Sequence, residues 1–313
     1  MGYENVKGML LPLPTPFDGN GGLDEGLLAE MTRYYVEQGV DALFPFGSYG
    51  QGPAMTVEQR KRGLEIVLKE TQGRIPVVAH IGAVDPYTSR DLGLHARAQG
   101  ADAIGTVGPY YYADRTESEL VEHIKFLDAA LKMPLFFYNN PRYQGYPVGP
   151  ALMRKMRDAA PGLFGAKLAM GSVDDALIYQ AALGKDFKCF VLASGLFPGL
   201  RCGVAGTVSP PLTVAVEPGV ALIRAVEAGH DLEASRLQEA VIMLHGTILQ
   251  LSIRYGRKVY TEGLRHIGFD VKEYPRWPSP EVPAEVKAQI GKAIDEARAA
   301  VRPTRLAAAA AKA

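Results

Sequence analysis

Short apolar runs alternate with longer amphipathic segments along the first two thirds of the chain. The runs cover residues 8–17, 41–47, 75–82, 103–109, 134–141, 163–169, 188–194 and 202–209. Each has a core about four to eight residues long, the signature of a strand buried on both faces. Between them, residues 24–38, 56–71, 86–99, 116–131, 149–160 and 172–183 carry apolar side chains at helical spacing. Thr56 stands three residues before Gln59, and Thr116 three before Glu119, the spacing of a capping box. Gly39, Gly73 and Gly100 stand where helix C-terminal caps belong. Eight strands separated by helices predict an α/β fold, a (β/α)8 barrel. An open doubly wound sheet usually needs fewer strands, and its G-x-G-x-x-G fingerprint is absent.

After Ser209 the strand signal ends. Residues 218–228, 231–251, 257–266 and 280–301 read as helices. The expected division is a barrel over residues 1–211 and a helical extension over 212–313 that completes it and packs on it. Residues 273–283, with four prolines, read as an ordered turn or linker, and the alanine-rich tail 307–313 as a frayed end.

Lys plus Arg (34) equals Asp plus Glu (34), so no global field draws nucleic acid or an anionic membrane surface. No apolar run approaches the roughly 20 residues of a bilayer span. The N-terminus lacks the charged and apolar regions of a signal peptide. A cytoplasmic protein without nucleic-acid or membrane partners is expected. Cys189 and Cys202 lack metal-ligand spacing, lie in apolar strand-like runs, and read as buried small hydrophobes. Asp18, Asp85 and Asp114 lie in separate loops and the histidines are scattered. A metal-dependent enzyme would want such ligands clustered near the strand ends, so no metal and no cofactor are expected.

A barrel's chemistry lies at the C-terminal ends of its strands. Lys167 stands late in the sixth run, flanked by Ala166 and Leu168. Burying an ammonium there is costly and favours the neutral amine. A neutral amine attacks a ketone carbonyl to give an imine. The alternative is a structural lysine paired with a buried carboxylate. Tyr138 ends the adjacent fifth run. Its phenol can relay protons during imine formation and C–C cleavage, or simply cap the barrel core. The loop Gly47-Ser48-Tyr49-Gly50-Gln51-Gly52 offers backbone N–H groups and a hydroxyl to a carboxylate, though glycine-rich loops are also common turns.

Taken together, these segments resemble the dihydrodipicolinate synthase/N-acetylneuraminate lyase family of pyruvate-dependent class I aldolases. Gly47-Ser48-Tyr49-Gly50-Gln51 stands for its G-[ST]-[ST]-G-E loop, Tyr138-Asn139-Asn140-Pro141 for its Y-N-x-P, and Gly165-Ala166-Lys167 for its G-x-K. Gly203, Gly206 and Ser209 fit its eighth-strand pattern, with further likeness at residues 79–82 and 108–112. The resemblance spans about residues 6–300 and implies a barrel with a C-terminal helical extension. It implies Lys167 as the imine-forming lysine, Tyr138 as the proton-transfer phenol, and Ser48 as the hydroxyl linking Tyr138 to the substrate carboxylate. It implies Tyr111 as a tyrosine completing that relay across a subunit interface, hence a homodimer or homotetramer. The backbone at Ser48, Tyr49, Val208 and Ser209 would bind the carboxylate of pyruvate or another 2-oxo acid.

Three departures bear on the substrate. Tyr49 and Gln51 replace a small hydroxyl residue and a glutamate of the loop. Tyr49 either fills space near the site or tucks into an interface. The synthase branch has an arginine two residues after the Y-N-x-P proline, where this chain has Tyr143, with Arg142 one place early. Gly195 is followed by Leu196-Phe197-Pro198, where the sialic-acid branch carries acidic residues for a polyol. An apolar wall leaves such hydroxyls unpaired, unless those residues pack the next helix instead. His80 reads as structural more readily than catalytic. The expected function is a Schiff-base lyase joining or cleaving pyruvate and an aldehyde, with a compact or aromatic distal half lying against Tyr49, Tyr143 and Phe197 and with Arg142 nearby. Hydratase-aldolase action would suit such a substrate. Alternatives are a 2-keto-3-deoxy sugar acid dehydratase or aldolase, dihydrodipicolinate synthase proper, and a catalytically silent 2-oxo-acid-binding protein.

Overall fold

The structure is a computed structural model that describes residues 2–168 and 172–301. The last residue of the sixth run, Ala169, and the tail 307–313 lie outside the described residues.

Eight parallel strands form the barrel wall: β1 (Gly8–Leu13), β2 (Ala42–Pro45), β3 (Val78–His80), β4 (Ala103–Val107), β5 (Leu135–Asn139), β6 (Leu163–Leu168), β7 (Lys188–Val191) and β8 (Gly206–Thr207). They pair in the order β2-β1-β8-β7-β6-β5-β4-β3. A parallel bridge between Leu43 and Val77 closes the ring between β2 and β3. The predicted (β/α)8 barrel is the fold observed.

The helices between the strands are α1 (Glu25–Glu37), α2 (Val57–Thr71), α3 (Pro86–Ala98), α4 (Glu117–Leu131), α5 (Pro141–Gln144), α6 (Pro150–Ala159), α7 (Val173–Leu183) and α8 (Leu196–Arg201). Thr56 and Thr116 complete the predicted capping boxes with Gln59 and Glu119. Each satisfies N–H groups that a helix start leaves without partners. The short α5 and α8 carry too few residues to show helical periodicity and were not expected.

Period-two alternation sorts the strand side chains. Leu10, Phe44, Val78, Phe136, Phe164, Phe190 and Val208 fill the barrel interior, while Leu11, Leu43, Leu135 and Phe137 belong to the larger cluster under the helices. Past β8 the chain is helical: α9 (Glu217–Glu227), α10 (Asp231–Tyr255), α11 (Lys258–His266) and α12 (Ala284–Ala299). Helix α10 runs four residues beyond the expected 251.

One expectation is corrected. Cys189 is buried in β7 as predicted, and burial pushes its thiol up to about 12. Cys202 is exposed at the end of α8, because β8 begins only at Gly206 and the apolar run before it turns out to be a helix end. Among the described residues no helix is long and apolar enough to cross a membrane.

Candidate active site

Lys167 reaches the barrel mouth through an irregularity in β6. The β5–β6 register steps from Leu135↔Leu163 to Phe136↔Gly165, so Phe164 is an extra residue. An extra residue reverses the inside–outside alternation beyond it. Phe164 faces inward, Ala166 outward, and Lys167 stands beside inward-facing Tyr138. Gly165 is required at this step, since a Cβ there would lie 2.4 Å from the Lys188 carbonyl oxygen.

The ammonium lies 4.5 Å from the centroid of the Tyr138 ring. Lys167 is 5% exposed and has no carboxylate partner among the described residues. Burial therefore pulls its pKa down to about 8. The structural-lysine alternative required an acid beside it, and none is in place among the described residues. Such an amine sheds its proton near pH 8, well below the ordinary lysine value.

Two donors converge on the Tyr138 oxygen. The Ser48 hydroxyl lies at 3.1 Å and the Asn140 amide nitrogen at 2.7 Å. The orientation of the Asn140 amide is fixed, because its oxygen accepts the Arg142 N–H at 3.1 Å. Burial raises the phenol above its ordinary value, opposed by Ser48, Asn140 and the charge of Arg257. The arrangement suits a phenol that gives up and regains a proton. Ser48 is held in place because its carbonyl accepts Nη1 of Arg257 at 2.6 Å.

Above Tyr138 lies a cavity of about 230 Å³ that opens to solvent. Ser48, Gln51, His80, Tyr143, Arg257 and Trp277 are among the residues lining it. His80 is neutral: burial, then the nearby Arg60, pulls its pKa down to about 3. Its Nε2 accepts the Val107 N–H at 3.3 Å, which assigns the ring proton to Nδ1. Among the described residues no three His, Cys, Asp or Glu side chains cluster to hold a metal ion.

Lys167, Tyr138 and Ser48 are thus brought together, and several other predicted residues are not. Tyr49 points away from the cavity. Its hydroxyl meets Thr213 Oγ1 at 2.7 Å, and its ring packs edge-on against Tyr260 and Tyr274 under the C-terminal helices. Phe197 does not line the cavity. It packs on the core in α8, and its N–H is accepted by Gln238 at 2.7 Å. The Leu196–Phe197–Pro198 segment therefore packs the next helix. Arg142 is exposed on α5, outside the cavity lining. Val208 is fully buried, and its N–H is committed to the Val191 carbonyl at 3.2 Å, so it is no free donor. The Ser209 hydroxyl meets His245 Nδ1 at 2.9 Å. Tyr111 is 81% exposed, with a left-handed backbone (φ 78°), and its ring meets that of Tyr112 edge-on.

Sequence reasoning missed Arg257, Trp277 and the role of Asn140. Arg257 and Trp277 come from the extension, which offered no strand end to flag them. Asn140 was visible only as the variable position of Y-N-x-P.

A model of the dihydrodipicolinate synthetase family matches residues 5–297. The chain is 30% identical to the 4-hydroxy-tetrahydrodipicolinate synthase of Agrobacterium fabrum over 77% of this chain and 82% of that protein. It is 33% identical to the enzyme of the same name from Hyphomonas neptunium, over 76% and 81%. Among solved structures it superposes on YagE, an E. coli K12 prophage protein in complex with pyruvate, with a TM-score of 0.87 at 24% identity, covering 94% and 99% of the two chains. The sialic acid aldolase of Ruminococcus gnavus gives 0.85 at 24% identity, covering 95% and 98%.

Proposed function

The chain belongs to the dihydrodipicolinate synthetase family, and from that premise we propose that Lys167 forms a Schiff base with pyruvate or another 2-oxo acid. The activity class, a pyruvate-dependent Schiff-base lyase, comes with the membership. The observation that carries the assignment to this residue is the buried amine, without a carboxylate partner among the described residues, 4.5 Å from the Tyr138 ring.

In the cleavage direction, Lys167 Nζ adds to the 2-oxo carbon of a 4-hydroxy-2-oxo acid and water leaves, giving an imine. Tyr138, left as the phenolate after giving its proton to the departing water, takes the proton of the 4-hydroxyl as the C3–C4 bond breaks and an aldehyde departs. The electron pair goes into an enamine, which is protonated at C3. Hydrolysis returns pyruvate and the free amine. Condensation is the reverse. Ser48 and Asn140 hold the phenol and stabilise its charge during transfer. Reduction with borohydride in the presence of pyruvate, followed by intact mass measurement, is expected to yield one stable adduct per chain. An unmodified mass would remove the imine from the reaction.

The relatives named 4-hydroxy-tetrahydrodipicolinate synthase support condensation as the physiological direction. Against that particular product stands position 143, where a tyrosine replaces the arginine of the synthase branch.

The assembly proposed is a homodimer or homotetramer. Tyr111 is too exposed to serve its own chain's relay, and a neighbouring copy that covers it would bring it to one. Tyr111→Phe is expected to lower kcat about tenfold or more with no change in sedimentation. A fully active monomer would show that the relay needs no second chain.

A further inference from the structure

The loop that carries Ser48 follows β2, yet it is held largely from outside the barrel. The Ser48 carbonyl accepts Nη1 of Arg257 at 2.6 Å. The next carbonyl, that of Tyr49, accepts the Tyr274 hydroxyl at 2.8 Å. The Gln51 side-chain oxygen accepts the backbone N–H of Arg276 at 2.7 Å. All three donors belong to the C-terminal extension. From the barrel side, the Thr15 hydroxyl donates to the Gly50 carbonyl at 2.6 Å. Tyr49 anchors the attachment. Its ring lies edge-on to Tyr260 at 4.9 Å and to Tyr274 at 5.6 Å, and its hydroxyl meets Thr213 Oγ1 at 2.7 Å. The small hydroxyl residue that the family carries at this place is too short to reach any of these partners. Tyr274 is itself buried, and its carbonyl accepts the Thr261 hydroxyl.

Fixing two successive carbonyls also fixes two N–H groups. These peptides are trans and planar, so each C=O sets the direction of the N–H in the same unit. The Ser48 carbonyl orients the N–H of Tyr49, and the Tyr49 carbonyl that of Gly50. Neither N–H has an acceptor among the described residues. Successive free N–H groups are what a loop offers to a carboxylate. The loop has little slack, since a Cβ on Gly50 would lie 2.7 Å from the Leu13 carbonyl oxygen. A peptide turned at one position therefore disturbs the next.

We propose that Tyr49 and Tyr274 are positioning residues through which the C-terminal extension aligns the Ser48 loop with the carboxylate of the 2-oxo acid. The proposal rests on the pyruvate-lyase reading of the site. Neither side chain lines the cavity, so both act through the loop backbone. The tyrosine at position 49 thus exchanges a hydroxyl beside the substrate for an anchor in the extension.

The test uses substitutions that delete one oxygen and keep the ring. Tyr274→Phe and Tyr49→Phe are each expected to raise the KM for pyruvate about threefold to tenfold, the worth of one neutral hydrogen bond. The effect on kcat should be smaller, because Asn140 still holds the phenol of Tyr138. Ile290→Val, in the buried face of α12, is the control for a loosened extension. It is expected to lower Tm as the tyrosine variants do and to leave that KM unchanged. An unchanged KM in both tyrosine variants, or an equal rise in Ile290→Val, would overturn the proposal. Borohydride trapping by the wild type judges the lyase reading separately. If pyruvate is trapped and KM does not respond, the clamp alone falls. If none is trapped, the lyase reading falls, and calorimetry of pyruvate with Lys167→Met protein judges the clamp. Adding Tyr274→Phe should weaken that binding by the same factor, and no weakening would overturn the clamp as well.

Discussion

Replacing Lys167 with methionine is expected to abolish turnover and, at neutral pH, to make the protein more stable. The first effect follows from losing the nucleophile and is on the order of ten-thousand-fold or more. The second follows from burial. The amine is pulled from 10.5 in the unfolded chain to about 8 in the folded one. Between those values the unfolded chain binds more protons, so stability rises as pH climbs from about 8 to 10.5. Below 8 the whole cost of holding an ammonium out of water is present, on the order of 3 kcal/mol for a shift of this size. Methionine, similar in volume and apolar, removes the cost. Urea unfolding of both proteins at pH 7 and pH 10.5 checks this. The variant should be the more stable at pH 7, and the gap should shrink at pH 10.5. A variant that is less stable at pH 7 would mean the lysine is held by favourable contacts, as a structural residue would be.

Tyr138→Phe should separate the two halves of the chemistry. The imine still forms, because Lys167 is untouched, but the proton on the departing hydroxyl has no acceptor. Loss of a positioned general acid–base costs about a hundred- to ten-thousand-fold in kcat. Borohydride trapping of pyruvate should persist at a reduced rate. The substitution also strands the Asn140 amide and the Ser48 hydroxyl, which now converge on the phenol oxygen. Each buried group left without a partner costs about 1–3 kcal/mol. A kcat near wild type, together with the stability loss, would reduce Tyr138 to a residue that caps the core.

The strands and long helices were legible because apolar periodicity records burial directly. Phe136 and Phe137 face opposite sides of the wall as the alternation requires. Lys167 and Tyr138 were legible because a cation in a strand core and a phenol at a strand end break the pattern around them. What sequence could not carry was direction. The orientation of Lys167 depends on an extra residue at Phe164, and nothing in Leu163–Leu168 announces a register step except the glycine beside it. Tyr49 looked like a cavity residue by position, yet its ring is drawn under the extension by Tyr260, Tyr274 and the Thr213 hydroxyl. Phe197 turned with α8 for a similar reason, since its backbone is claimed by Gln238 of α10. Arg257 and Trp277 were invisible as site residues because a chain fold of about two hundred residues brings them over the loop at Ser48.

The position of the trapped pyruvate tests the central claim most directly. After borohydride reduction and trypsin digestion, the adduct is expected on Lys167, with cleavage after that residue blocked and all other lysines unmodified. Lys167→Met protein treated in the same way should carry no adduct. An adduct on a different lysine, or full turnover by a protein that traps no pyruvate at all, would contradict the assignment of the reaction to this amine.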